Sequence, residues 1–465
     1  MKINQELIQK IKKNENRFIL QELSPFLKIK SNTLNQEGVL QAKEFIIDYI
    51  KDIAEHIKIV EGVHNPMILA DVAGPTKQSL LIYMMYDTQP IDKPEDWISE
   101  PFGAEVKTLT PPLDRLGSCI IARGAYNSKT PLLCFLSLIK YLKKYDQLPI
   151  SLTLLFDGEE EIGSPTLLNF LKTKKDRFEN CVDVYYPAAK QNLEGTSVIK
   201  LGYKGILSFS LKIFSGNQEV HSSFSSMIPN PAYDLVSVLN RIYSNGKYLL
   251  NCFNQDYQPS DEEIDILNDL TGKIDIELIK NKAGISETRD KTVKKLFREY
   301  LYNPTFNISS LKSGFLGSGI KNTVPNEAMC KIDIRFAHDI KSDNIFNEIE
   351  EKVSDYSNKG NSHIEITKNT SYEGFRVSPK SILVKSFIEA SKMLRIPLEI
   401  WPMSAAAAPL SKIVDELNSI NFITGGLGIG GYAHAPNEFI QIESIKNARI
   451  FYYYFLKNYR ENLGQ

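Results

Sequence analysis

The sequence lacks the features that mark several large classes of protein. Its 55 Lys and Arg residues face 56 Asp and Glu residues, which gives a formal net charge of -1, and it contains no long basic segment. This balance excludes a nucleic-acid binder of the usual strongly basic kind. No uncharged apolar stretch reaches the roughly 18 residues of a membrane span, and the charged N-terminal segment lacks the apolar core of a signal peptide. We therefore expect no nucleic-acid partner and no membrane span.

Cysteine and histidine are also scarce. The five cysteines are scattered and form no Cys-x-x-Cys pair. This pattern argues against a disulfide framework or a zinc ribbon, and it favours a reducing, cytoplasmic location. Only six histidines are present, although a hydrolytic metal site commonly uses two or more of them.

Apolar periodicity in the first part of the chain predicts an α/β domain. Helical spacing extends over residues 6–28 and 37–58, and again over residues 130–144. Apolar runs of strand length occupy residues 79–85 and 151–156. Strands that alternate with helices predict layers of helices around a mostly parallel sheet.

A different pattern begins after about residue 202. Three segments alternate apolar and polar residues, as half-buried antiparallel strands do: 205–214, 330–336 and 363–367. We therefore predict an inserted α+β domain over residues 203–372. The α/β domain would then consist of residues 1–202 and 373–465.

Six segments follow one another in an order that is not generic. They are MMYDTQP (84–90), RGAYNSKTPLL (123–133), FDGEEEIGSP (156–165), VHSSFSSMIPNPA (220–232), GIKNTVPNEAMCKIDIRF (319–336) and AHAPNE (433–438). Together they resemble the zinc peptidase and deacylase family that includes carnosine dipeptidase, acetylornithine deacetylase and succinyl-diaminopimelate desuccinylase. The resemblance implies an α/β catalytic domain that binds two zinc ions and an inserted lid domain that forms a homodimer.

Three of the five ligand positions implied by this resemblance carry other residues. The family's His-x-Asp motif is present with Met85 at the ligand position and the orienting Asp87 retained. A thioether is a poor ligand for zinc, so Met85 is expected to pack in the core, and Asp87 could simply cap a turn. Asn127 replaces the bridging Asp, and its amide can hold one ion only weakly. Ala188 or Ala189 stands where the family has a further Asp ligand.

The remaining positions are retained. By resemblance, Glu160 is the general base and Glu161 is a metal ligand. They precede Ser164 and Pro165, which fit the first positions of a helix. His434 matches the C-terminal ligand. The two ligands specific to one metal ion are thus present, whereas both ligands specific to the other are missing.

Residues of the lid segments also match functional positions of the family. His221 corresponds to a histidine that reaches the partner subunit's active site and supports the tetrahedral intermediate. Asn322 and Arg335 lie in segments that contact the carboxylate end of the substrate. The Gly-rich substrate loop of the family is replaced by residues 405–409, AAAAP, which predicts a smaller and more apolar pocket.

Three functions are compatible with these residues. The altered ligand positions favour a non-catalytic relative that binds a small peptide or an N-acyl amino acid, or that pairs with an active homologue. Alternatively, a single-metal amidohydrolase or dipeptidase would hold one zinc ion weakly through Glu161, His434 and Asn127, with Glu160 as the base. The third hypothesis is metal-free acid–base chemistry by Glu160, His434 and His221.

Overall fold

The chain folds into two compact units in the computed structural model, which describes residues 4–273, 275–289, 292–358, 362–417 and 420–464. The first unit comprises the chain up to Leu201, Val377–Trp401, and the chain from Ile413 onward. The second unit comprises Gly202–Arg376 and Pro402–Lys412. The segment Pro402–Lys412 was predicted to belong to the catalytic domain. It groups with the second unit because its strand Ser404–Ala407 pairs in parallel with the strand Gly202–Phe214.

The first unit is built on a six-stranded mixed sheet. In order across the sheet, its strands are His56–Val60, Met67–Val72, Ser151–Asp157, Ser79–Met85, Cys181–Pro187 and Asn421–Gly425. The last four of these strands run parallel to one another, whereas the two strands at the other side pair antiparallel. The parallel strands are almost continuously buried, which is typical of parallel sheets. Their carboxyl ends meet at one edge, where open α/β sheets place their ligands.

Several helices of the first unit lie in segments with the predicted apolar periodicity: Gln5–Lys13, Glu15–Phe18, the π-helical turn Ile19–Leu23, Ser24–Lys28, Gln36–Ile50 and Lys129–Lys144. The others are Pro165–Lys174, Ile382–Met393 and Ile442–Leu463, and the short helix Ser411–Glu416 spans the boundary between the two units. Asn4, Asn35 and Ser381 cap three of these helices by accepting a backbone N–H in the first turn. None of the helices in the described part of the chain has the length and apolar character needed to cross a membrane.

The helix predicted over residues 37–58 ends at Ile50, so its last turns were predicted wrongly. The chain instead enters the strand His56–Val60, which pairs antiparallel with Met67–Val72. The apolar residues Ile57 and Ile59 are two positions apart, and this period of two belongs to the strand.

Smaller sheets in the first unit join distant motifs. The strands Gly430–Gly431, Phe439–Gln441, Ser118–Ile121 and Glu105–Thr108 form a four-stranded sheet, and Ser197–Lys200 pairs in parallel with Leu398–Trp401. The strand Phe439–Gln441 pairs antiparallel with Ser118–Ile121. The segment just before residue 439 therefore lies beside the segment just after residue 121. These segments carry His434 and Asn127.

The second unit is an α+β structure with alternating burial along its strands. The strands Thr305–Ser313, Glu327–Phe336, Gly202–Phe214 and His363–Tyr372 form an antiparallel sheet, and Phe375–Arg376 adds to Gly202–Phe214. Shorter pairs join Val220–His221 to Thr323–Val324 and Tyr243–Ser244 to Lys247–Tyr248. The helices are Pro231–Ile242, Asp261–Thr271, Ile276–Ala283, Val293–Tyr302 and Ser342–Ser357. Inward side chains such as Leu211, Ile332 and Ile345 form its core.

A buried lysine of the second unit holds the C-terminal end of the helix Val293–Tyr302. The Nζ of Lys204 is fully buried and donates to the carbonyl oxygens of Tyr300 at 2.9 Å and Asn303 at 2.6 Å. Helix C-terminal carbonyls favour a cation. Burial nevertheless lowers the pKa of Lys204 to about 7, and the nearby Arg376 and Arg335 lower it further in the same direction.

We predict that Lys204→Met reduces the pH dependence of stability. The unfolded chain keeps this proton up to about pH 10.5, whereas the folded chain releases it near pH 7. Between these values the folded state binds fewer protons, so the free energy of unfolding should rise with pH, by at most about 1.4 kcal/mol per pH unit. Urea denaturation between pH 7 and 9 should show a shallower rise for this variant. Lys212→Met, on the same strand but with a side chain that is 40% exposed, should keep the wild-type slope; equal slopes for both variants would contradict the assignment.

Candidate active site

The motif residues of the first unit meet at the carboxyl edge of its parallel strands. Asp87 follows the strand Ser79–Met85, and the Glu160–Ile162 turn follows Ser151–Asp157. Ser164 occupies the N-cap position and Pro165 the first position of the next helix, as predicted.

Asp87 holds the turn that carries the glutamate pair. Its buried carboxylate accepts from the backbone N–H of Glu160 at 3.3 Å and from that of Glu161 at 3.1 Å. Burial, followed by the charge of Asp157, raises the pKa of Asp87 well above its usual range. Asp87 therefore caps a turn in this structure, and through that turn it orients both glutamates.

Glu159 holds the same turn from the opposite side. Its carboxylate accepts from the backbone N–H groups of His64 at 2.6 Å, Asn65 at 2.9 Å and Thr166 at 2.9 Å. Burial alone would raise the pKa of Glu159, but these hydrogen bonds lower it below its usual value. The first residue of the Glu-Glu-Glu run is thus a structural carboxylate.

Glu161 lies at the centre of a hydrogen-bonded cluster, and its side chain is only 3% exposed. One carboxylate oxygen, Oε1, lies 3.2 Å from Asn127 Nδ2 and 3.3 Å from His434 Nε2. The other, Oε2, accepts from Gln89 Nε2 at 2.7 Å. Asn127 Nδ2 and His434 Nε2 are 3.0 Å apart, so Asn127, Glu161 and His434 form a compact triangle. The hydrogen bond that the imidazole donates to Glu161 raises the pKa of His434 above its usual value.

Glu160 is suited to exchange a proton near neutral pH. Burial, followed by the charges of Glu161 and Asp157, raises the pKa of Glu160 to about 8. The positive charges of His434 and Lys190 oppose this shift. A carboxyl group in this range can act as a general acid or a general base.

The positions predicted to have lost their metal ligands are part of the packed structure. Met85 is a core residue, 1% exposed, as the sequence predicts. Ala188 and Ala189 are buried, and the N–H of Ala188 donates to the carbonyl oxygen of Gly425 at 3.0 Å. Within the described ranges, no three His, Cys, Asp or Glu residues come together as a metal site.

The cluster fits one metal ion better than two. Ligands about 2.0–2.2 Å from a tetrahedral zinc ion lie about 3.3–3.6 Å from one another. The triangle edges of 3.0–3.3 Å approach this size, so Glu161 and His434 could hold one ion if the amide of Asn127 presented its oxygen. Met85 and Ala188 offer no suitable ligand for a second ion.

A buried carboxylate holds the loop that presents Asn127. The Glu438 side chain accepts from Arg123 Nη1 at 2.8 Å and from the backbone N–H groups of Gly124 at 3.1 Å, Tyr126 at 2.9 Å and Asn127 at 2.7 Å. Both members of the Arg123–Glu438 ion pair are buried.

Four residues of the site were not predicted from the sequence: Gln89, Glu159, Arg123 and Glu438. All four lie inside the quoted motif strings, so their positions were visible. Their roles were not, because each depends on a partner that is distant in the chain. Only the local polar composition of the motifs could have drawn attention to them.

The lid residues lie in the second unit, on two different parts of it. His221 is exposed and pairs in register with Thr323, which places it next to Asn322. Arg335 lies on the strand Glu327–Phe336, with its Nε 3.7 Å from Asp333 Oδ1. The structure thus brings together His221 and Asn322, whereas Arg335 belongs to the main sheet.

Comparison with known proteins identifies the family. The sequence profile described as Peptidase family M20/M25/M40 matches residues 81–458. The chain belongs to this family. It is 22% identical to the human Beta-Ala-His dipeptidase over 405 residues, which cover 84% of this chain and 77% of that protein. It is 23% identical to a Cys-Gly metallodipeptidase of Candida albicans over 476 residues, with coverages of 92% and 96%.

Solved structures of M20 proteins show the same fold. The M20 family metallo-carboxypeptidase Sso-CP2 from Sulfolobus solfataricus superposes with a TM-score of 0.81 at 28% identity, covering 95% of this chain and 99% of that one. Human carnosine dipeptidase 1 gives a TM-score of 0.73 at 17% identity, with 98% of each chain covered. The mixed α/β M20 fold is therefore established, and the family is one of metallopeptidase-type hydrolases, which generally use zinc.

We predict that Glu438→Ala strongly destabilises the first unit. The change leaves Arg123 buried without its counterion, and breaking such a pair costs about 3–5 kcal/mol. The guanidinium carbon of Arg123 lies 5.3 Å from the ring of Trp97, so tryptophan fluorescence during urea denaturation should report the loss. Glu194→Ala removes an exposed partner, that of Arg115, and should change stability by less than about 0.5 kcal/mol. Similar losses in both variants would show that the buried pair has no special role.

Proposed function

We propose that this chain is an M20 relative that has lost the dinuclear zinc site and that binds a small peptide or an N-acyl amino acid without hydrolysing it. The Glu161 cluster supports this proposal most directly. Both oxygens of its carboxylate contact N–H donors of the protein, from Asn127 and Gln89. The carboxylate is therefore satisfied by neutral amides at the position where the family resemblance implies a cation.

The cost of admitting an ion supports the same conclusion. A cation at Glu161 has to displace its contacts with Asn127 and His434, and the contact between those two residues as well. In return it gains two strong ligands and one amide, whereas catalytic zinc commonly has three strong protein ligands. Without a bridging carboxylate, nothing in the cluster offsets the repulsion between two ions.

The remaining groups suit a polar ligand of small size. His434 is half exposed, and its raised pKa favours a positive charge that can meet a ligand carboxylate. Glu160, with a pKa of about 8, can donate a hydrogen bond to a carbonyl oxygen while it is protonated. A dipeptide or an N-acyl amino acid presents both a carboxylate and a carbonyl oxygen.

A second function, that of a single-metal amidohydrolase or dipeptidase, is favoured by the size of the triangle. Glu161, His434 and the turned amide of Asn127 would hold one zinc ion, and the ion would supply an activated water. Glu160 would hold the proton taken from that water. Its pKa of about 8 suits this role.

We test the proposal by zinc titration and by assay. Wild-type protein should bind at most one zinc ion weakly, and Asn127→Asp should tighten binding at least tenfold because it adds a charged ligand. Asn254→Asp, at an exposed position, should change nothing. In zinc-containing buffer, a panel of dipeptides and N-acyl amino acids should raise the melting temperature without being cleaved.

Two results would decide against this proposal. Two tightly bound zinc ions per chain would refute the loss of the dinuclear site. Turnover that requires added zinc, disappears in Glu160→Gln and persists in Glu194→Gln would establish the single-metal enzyme instead.

We also propose that the second unit forms a homodimer. Within the described residues, the strand Thr305–Ser313 pairs on one side only, with Glu327–Phe336. Its Leu311 is 55% exposed, and Val236, on the helix Pro231–Ile242, is 59% exposed. An edge strand with apolar side chains is prone to pair with another chain, and a second copy satisfies it symmetrically. An active homologue with a matching edge would pair in the same way.

We expect the purified protein to sediment as a dimer. The double variant Leu311→Glu/Val236→Glu should shift it to monomer, because four buried charges would face each other in a two-fold interface. Val106→Glu, at a comparably exposed apolar residue of the first unit, should remain dimeric. A wild-type monomer, or dissociation by the control variant, would refute this assignment.

A further inference from the structure

A concave surface of the first unit has a composition that the peptidase fold does not explain. Its volume is about 740 Å³, and it lies between the N-terminal helices and the helix Lys129–Lys144. We call it the basic groove, defined by its five cationic lining residues: Lys10, Lys13, Arg17, Lys140 and Lys144. It shares no lining residue with the candidate active site.

The groove concentrates positive charge in a chain that is nearly neutral overall. Glu22 is its only acidic lining residue, and the hydroxyl of Tyr49 donates to the Glu22 carboxylate. Lys10 pairs with Glu6 at 2.7 Å. Within the described ranges, the four other cations of the groove have no carboxylate at ion-pair distance, so most of this charge is uncompensated.

Aromatic rings also hold three of the lysine head groups. Lys10 Nζ lies 4.3 Å from the ring centre of Tyr145, and Lys144 Nζ lies 5.8 Å from the same ring. Lys140 Nζ lies 4.1 Å from the ring centre of Tyr49. Contacts of this kind restrict the ammonium groups without using up their charge. The cations are thereby positioned for an anion.

A further cation lies behind the groove wall. Arg449 is fully buried, and its guanidinium carbon is 5.6 Å from the ring centre of Tyr141, a lining residue. Its Nη1 is 3.4 Å from Glu15. Its Nε and Nη2 have no hydrogen-bond partner among the described residues. Arg449 thus supports the groove wall from behind through the ring of Tyr141, while its own charge is paired with Glu15.

We propose that the basic groove binds a small polyanion that contains a chain of phosphate groups. Several ammonium groups and a guanidinium around one concavity match a ligand with several closely spaced negative charges. The volume is that of a small-molecule site, and a concave shape suits a compact ligand better than a flat membrane surface or a duplex. The phosphate chain could be inorganic polyphosphate or part of a nucleoside triphosphate.

Calorimetric titration of the full-length protein with tripolyphosphate tests this proposal, in about 0.15 M salt and excess EDTA so that no metal ion bridges the partners. We expect one site per chain and an affinity at least tenfold higher than that for orthophosphate. A nucleoside triphosphate that binds tighter than tripolyphosphate would identify a nucleotide as the ligand, whereas equal affinities would identify the phosphate chain alone.

Matched charge reversals localise the site. Lys13→Glu/Lys144→Glu should weaken tripolyphosphate binding at least tenfold. Lys12→Glu/Lys172→Glu makes the same charge change at exposed lysines outside the groove and should change it less than twofold. Circular dichroism should confirm that both double variants are folded.

Several outcomes would overturn the proposal. The first is the absence of saturable tripolyphosphate binding. The second is equally weakened binding in both double variants, which would show that the anion is attracted by the overall charge of the protein and not by the groove. Binding that survives the groove substitutions would place the anion elsewhere. Groove-dependent binding of an RNA oligonucleotide or of phosphatidylserine vesicles, without tripolyphosphate binding, would assign the groove to a macromolecular partner instead.

Discussion

The first unit depends on buried carboxyl groups whose oxygens accept hydrogen bonds from backbone N–H groups. Asp87, Glu159 and Glu438 each accept two or more backbone donors at the carboxyl edge of the sheet. A buried charge without such partners would cost several kcal/mol. The requirement for donors fixes the loops around these three side chains, and those loops present Glu160, Glu161 and Asn127.

The same need for hydrogen-bond donors explains the contacts among Glu161, Asn127 and His434. The carboxylate of Glu161 is shared between the amides of Asn127 and Gln89 and the imidazole of His434. A carboxamide is close to the size of a carboxylate and adds donors, so Asn127 can satisfy Glu161 where an Asp would repel it. Asn127 and the core residue Met85 agree in one respect, because neither side chain offers a charged ligand to a metal ion.

The sequence predicted the elements whose signals are local. The strands at 79–85 and 151–157 and the helix Lys129–Lys144 are long and strongly periodic, and they lie where expected. The end of the helix at Ile50 was missed, because the weak period of two after it is short. The family resemblance supplied the site residues, but the role of Glu438 depends on partners more than 300 positions away in the chain. Such pairings leave no local pattern, and a single sequence contains no covariation to reveal them.

The turn capped by Asp87 has a consequence for how folding of this chain depends on the supply of metal in the cell. In many small metal sites the folded state exists only when the ion is bound, so the amount of folded protein follows the amount of available ion. Here the turn and its two glutamates are held by backbone hydrogen bonds from within the chain. If the proposed function holds, the amount of folded protein would then not follow the supply of zinc.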